Sequence, residues 1–144
     1  MKKFVLLVAV CLAAIPAFAQ LNVKASVKSK TIATFRMGVI SVDFGSSGYK
    51  LVLVTDNQFD KPGIFYLGQD QESATKTVDD MIAILEEADT DAAVSAECGP
   101  GQECMLTVRK QLGVPVLWYK FQGCAGRQGL SMDELKKVRA AINK

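Results

Sequence analysis

Ile32-Ala33-Thr34-Phe35-Arg36-Met37-Gly38-Val39-Ile40-Ser41-Val42-Asp43-Phe44 runs through Gly45-Ser46-Ser47-Gly48 into Tyr49-Lys50-Leu51-Val52-Leu53-Val54-Thr55. Both arms are rich in β-branched and aromatic residues, which suit a pleated, half-buried surface, and four small turn residues join them. The stretch is predicted to be a β-hairpin. Within its first arm the alternation changes phase at Gly38, from Phe35 and Met37 to Ile40, Val42 and Phe44. A bulge at that glycine would keep the apolar side chains on one face of a single long strand.

Downstream of the hairpin, a polar turn over 56–62 precedes a third predicted strand over 63–67. From Ser73, apolar residues recur as Ala74, Val78, Met81, Ile82, Leu85 and Ala88, the stripe of an amphipathic helix ending near Asp89. The second half repeats the order. Val94, Ala96 and Cys98 alternate with polar neighbours, Gly99-Pro100-Gly101 turns the chain, and Cys104, Leu106 and Val108 resume the apolar side. Leu112-Gly113 turns again into a strand over 114–121. The last helix has a sharp start signal: Ser131 as N-cap, Glu134 three residues on, and Leu130 paired with Leu135 as a hydrophobic staple. The expected fold is α+β, one domain over 31–144 with halves 31–89 and 92–144, in βββα-βββα order. Its simplest form is one antiparallel sheet with both helices on one face.

Upstream, Lys2 and Lys3, an apolar run over 4–14, Pro16 and the triplet Ala17-Phe18-Ala19 before Gln20 follow the order of a cleavable signal peptide over 1–19. The run is shorter than the roughly 20 residues a spanning helix needs, so the protein is expected to be exported and not membrane-spanning. The ending Ala-Phe-Ala-Gln resembles bacterial signal peptides, which implies a periplasmic or extracellular address. Residues 20–30, where Val23, Ala25 and Val27 alternate with Lys24, Ser26 and Lys28, read as an amino-terminal arm or short strand.

Removing the leader takes away Lys2 and Lys3, and with them the whole net charge of +2. The remaining charges are segregated: 20–55 and 104–144 are basic, whereas 56–103 is acidic around the first helix. Opposite blocks of this kind satisfy one another in a folded domain. No compact basic run interleaved with aromatics points to nucleic acid.

Cleavage also discards Cys11 and leaves Cys98, Cys104 and Cys124. Pairing the strands about Gly101 puts Cys98 opposite Cys104, Ala96 opposite Leu106 and Val94 opposite Val108, so a structural Cys98–Cys104 disulfide is expected, with Cys124 as a free thiol. If Leu112-Gly113 is a two-residue turn, Cys104 faces Phe121. A structural zinc site would need four ligands, and the chain holds three cysteines and no histidine. The absence of histidine also removes Ser-His-Asp, Cys-His and histidine-metal chemistry.

The acidic pairs Asp79-Asp80 and Glu86-Glu87 diverge by about 100° on a helix and read as solvated. The segment Asp56-Asn57-Gln58-Phe59-Asp60 lacks EF-hand spacing. Gly123-Cys124-Ala125-Gly126-Arg127-Gln128-Gly129 reads as a glycine loop before the last helix, with anion binding by its backbone as the functional alternative. No cofactor or metal is expected. In the strand over 114–121 both faces are partly apolar, which leaves Trp118, Tyr66 and Lys120 as the candidate binding patch on the sheet face away from the helices. The expected function is a non-catalytic exported binding or interaction module whose partner is a protein, a small molecule or a second copy of the chain. The alternative is a small enzyme using a carboxylate, a lysine or the thiol of Cys124, activated by nearby Arg127.

Overall fold

Left-handed backbone at three successive residues, Arg36 (φ 47°), Met37 (φ 52°) and Gly38 (φ 91°), reverses the chain in the middle of the first apolar arm. The phase change at Gly38 therefore marks a turn, and the one long strand expected there is two. The computed structural model describes residues 29–87, 93–99 and 102–144. The expected leader, Cys11, most of the amino-terminal arm, Ala88, Asp89 and the turn residues Pro100 and Gly101 lie outside the described residues.

Strand β1 (Ser29–Phe35) pairs with β2 (Ile40–Gly45), Phe35 opposite Ile40, and a register shift between Thr31 and Ala33 bulges out Ile32. The hairpin around Ser46 and Ser47 leads into β3 (Gly48–Leu53), with Val42 opposite Leu51, and β3 pairs with β4 (Gly63–Gly68). Helix α1 (Gln71–Glu87) follows, its first turn held by Asp70, whose carboxylate accepts the Ser73 amide at 2.8 Å. That is an N-cap interaction. The same amide and the Ser73 hydroxyl hold the Asp70 carboxyl below its ordinary range.

The second half is built likewise from β5 (Ala93–Gly99), β6 (Gln102–Gln111), β7 (Val114–Phe121) and β8 (Gln128–Ser131), followed by helix α2 (Met132–Ile142). Leu112 (φ 52°) and Gly113 (φ 80°) form the two-residue left-handed turn that sets Cys104 opposite Phe121, as the sequence predicts. Gln128 and Gly129, expected to be part of a glycine loop, instead open the strand that runs to Ser131. Gly129 lies opposite Trp118, and a Cβ there would press on the Val116 and Trp118 side chains. The glycine content of this segment serves close strand packing.

The molecule is thus one α+β domain of two antiparallel four-stranded sheets, β1-β2-β3-β4 and β5-β6-β7-β8, with two helices. The expectation of a single sheet is corrected, because each half contributes one strand that the alternation pattern hides. One buried cluster joins both sheets and both helices: Ile40, Val42, Leu51 and Leu53 from the first sheet, Leu106, Val108, Leu117 and Tyr119 from the second, Val78 and Met81 from α1, Leu135 and Val138 from α2. Each such side chain contributes about 1.5–3 kcal/mol of burial. Phe65 on β4 meets Tyr119 on β7 edge-on at 5.8 Å, so the aromatic contacts cross between the halves. The Ser131–Glu134 capping box forms as expected, with the Ser131 amide donating to Glu134 at 2.8 Å, and both staple residues are fully buried.

Candidate binding groove

Strands β4 and β5 are the neighbouring edges of the two sheets. They approach each other without being hydrogen-bonded partners. Where they meet, two adjoining cavities of about 590 and 810 Å³ share Ile64, Cys98 and Gln102 in their walls. The larger one is floored by the outward face of β3 and β4, where Lys50 is opposite Tyr66, and walled by Glu97, Gly99 and Gln102 from the β5–β6 hairpin. The smaller runs from Phe59 and Asp60 to Phe121 and Cys124. Phe59 is 86% exposed and Ile64 45%, so apolar surface is presented at the rim as well as the floor. Gly63 lets β4 approach β7 here: a Cβ on it would overlap the Phe121 ring.

One end of this groove is held by a clasp between the halves. The Asp60 carboxylate accepts the Ala125 amide at 3.1 Å, the Gly126 amide at 2.7 Å and the Thr55 hydroxyl at 2.9 Å. Asp56 accepts the Arg127 amide at 2.8 Å and donates its own amide to the Arg127 carbonyl at 3.0 Å. The Gly126 amide, foremost among these donors, holds the Asp60 carboxyl below its ordinary range against the opposing effect of desolvation. The backbone amides that sequence reasoning offered to an external anion are therefore aimed at two carboxylates of the chain itself. The signal for this was the pair of acids in 56–60, read only against the EF-hand pattern.

Of the predicted patch, Tyr66 lines the groove, half-buried, its hydroxyl donating to Gln69 at 2.9 Å. Trp118 is on the outward face of β7, with the Arg127 guanidinium 4.7 Å from its ring centroid, a cation–π contact. Lys120 donates to the Ala125 carbonyl at the clasp. Arg127, offered as an activator of the Cys124 thiol, spends its guanidinium on the indole. Ile64 lines both cavities, and Phe59 and Gln102, which were not singled out by sequence, line the groove beside it. The signal for Ile64 was the complete lack of charge in β4, Gly63-Ile64-Phe65-Tyr66-Leu67-Gly68.

Cys98, Cys104 and Cys124 are free thiols, so the expected Cys98–Cys104 disulfide is absent from this structure. The reason lies in the register. Ala96, and not Cys98, is opposite Cys104, and Val94 is opposite Leu106, two residues away from the expected alignment. A shift between Glu97 and Gly99 sets Cys98 in a bulge, where its thiol donates to the Gln102 carbonyl at 3.4 Å. Burial pushes both thiols up, that of Cys104 to about 12, with the neighbouring Cys98 adding to the effect. Cys124 is half-buried, its amide donating to Phe121 at 3.2 Å and its sulfur 3.9 Å from the Lys61 carbonyl. Among the described residues no three Cys, Asp or Glu side chains converge as a metal site, and no helix is long and apolar enough to cross a membrane.

No protein family, curated protein or solved structure matches this chain.

Proposed function

We propose that this protein is an exported, non-catalytic binding module that takes an extended peptide segment in the groove between β4 and β5. The observation that carries the reading is the uncharged edge strand β4, which borders both cavities. Exposed edges invite pairing with another chain and are ordinarily blunted by charge, bulges, shortness or a covering element. Strand β1 carries Lys30 and a bulge and is contacted by α2, and β8 is four residues long. Strand β5, like β1, has one charge and a bulge, whereas β4 has no charged residue, and β4 and β5 border the cavities. Main-chain pairing supplies affinity in such an arrangement, and side-chain pockets supply selectivity. Tyr66, Ile64 and Phe59 offer apolar contact, Gln69 and Gln102 offer amides, and Lys50 and Glu97 offer both signs of charge, a set matched to a peptide and not to a polyanion.

The test is an NMR titration of the protein, from residue 20 onward, with a pool of short synthetic peptides rich in β-branched and aromatic residues. Amide shifts at Ile64, Tyr66, Glu97 and Gln102, with at least a tenfold loss of affinity in Tyr66→Ala, are expected. Shifts confined to the Trp118 and Lys120 face would transfer the site there, and a change in sedimentation without peptide would make a second copy the partner. Either result overturns the peptide groove. The enzyme alternative has no comparable support, since the cation offered for Cys124 is engaged by Trp118.

A further inference from the structure

Cys98 belongs to the walls of both cavities, while Cys104, fully buried, lies beside it on the adjacent strand. A thiol in the shared wall of two solvent-connected cavities, itself only 2% exposed, with a second thiol on the adjacent strand is an arrangement that the binding reading does not use. We propose that Cys98 is a thiol–disulfide exchange site for low-molecular-weight disulfides that enter the groove, with Cys104 as the resolving thiol. It stands whether or not a peptide occupies the groove.

In the first step the Cys98 thiolate attacks one sulfur of the incoming disulfide RSSR. The S–S bond of RSSR breaks, a Cys98–S–S–R bond forms, and RS⁻ leaves with the proton that Cys98 gave up. In the second step the Cys104 thiolate attacks the Cys98 sulfur, the Cys98–Cys104 bond forms, and the second RS⁻ leaves with the proton from Cys104. Two protein thiols lose two electrons, and RSSR gains them as two RSH.

Pairing of β5 with β6 makes Cys104 the resolving partner proposed, and the peptide map below separates it from Cys124. Cys124 lies beyond the end of β7 and shares the wall of the smaller cavity with Cys98, whereas Cys104 is on the strand paired with that of Cys98. Cys98 and Cys104 are diagonal neighbours on adjacent strands, where Cα atoms are about 7–8 Å apart, at the upper edge of the range. The bond closes if the bulged segment moves by roughly an ångström, and the ladder is already interrupted between Glu97 and Gly99. A bridge formed this way is strained and hence readily reduced, which makes the exchange reversible. It also moves Gly99, a wall of the larger cavity.

The experiment treats the reduced, folded protein with oxidised glutathione, quenches with acid and alkylates the remaining thiols. Digestion with trypsin and a glutamate-specific protease then separates the cysteines, since cuts after Glu97, Glu103, Arg109 and Lys120 put each on its own peptide. A Cys98 peptide linked to a Cys104 peptide, with Cys124 alkylated, is the expected result. Cys104→Ser should trap glutathione on Cys98. Glutathione on Cys124 alone, a Cys98–Cys124 link, or three alkylated cysteines would each overturn the proposal. The wild-type map decides the matter even where the variant folds poorly, and it reads thiol chemistry independently of peptide binding.

Discussion

Gly63 and Gly99 are both strand-end glycines at the groove, yet their surroundings differ. A Cβ on Gly63 would overlap the Phe121 ring, whereas on Gly99 it would meet only the end of the Gln102 side chain, 3.9 Å away. Overpacking a core contact costs about 1–3 kcal/mol, while glycine-to-alanine changes at unstrained positions are neutral or stabilising by less than about 1 kcal/mol. Gly63→Ala is therefore expected to lose about 1–3 kcal/mol in urea unfolding and Gly99→Ala to be unaffected or slightly more stable. Equal losses in both would mean that β4 does not approach β7 as closely as described. The sequence shows two glycines without distinguishing them, because the residue that separates their roles, Phe121, is more than fifty positions away from Gly63.

The start of α2 was legible because its signals are local. Ser131, Glu134, Leu130 and Leu135 lie within six residues, and all four act as read. What was not legible is that Glu134 also holds Arg36 from the left-handed turn after β1, with contacts of 2.5 and 2.6 Å. Burial alone would raise the Glu134 carboxyl, but the Ser131 amide and Arg36 outweigh it and hold it below the ordinary glutamate range. A carboxyl depressed in the folded state stabilises the protein fully above its unfolded value, here 4.5, and that contribution fades as pH falls through the lower folded value. Glu134→Gln retains a cap-competent side chain and loses the charge at the helix N-terminus, so a loss of about 0.5–1 kcal/mol is expected at pH 7. The gap between variant and wild type should shrink below about pH 4. Urea midpoints at pH 7 and pH 3 measure it, and a gap that does not change with pH would assign the effect to packing. Strands β1 and β8 were missed for the converse reason. The turn that ends β1 uses left-handed Arg36 and Met37, residue types that give no turn signal, and β8 is four residues in a glycine-rich segment whose pairing with β7 is long-range.

Two ββββα halves of this size could each have formed a separate unit, and the contacts between them decide otherwise. The buried cluster runs through both sheets and both helices, Phe65 meets Tyr119 across the halves, and the fully buried Tyr119 hydroxyl donates to Met81 on α1 at 3.2 Å. Arg139 on α2 reaches Asp79 on α1 at 2.5 Å, so the basic third block of the chain answers the acidic second, as the charge segregation led one to expect. That pair is exposed and contributes direction more than energy, while the shared apolar core carries the coupling. A core without an internal boundary unfolds as one unit. Trp118, the only tryptophan, reports on the second half, and the amides of Ile40, Val42 and Leu51 report on the first. Urea transitions followed by Trp118 fluorescence and by hydrogen exchange at those amides are expected to give the same midpoint and the same free energy. A lower free energy at Ile40, Val42 and Leu51 would mean that the first sheet opens on its own, and the groove at β4 and β5 would then be a boundary between two folding units instead of a cleft in one.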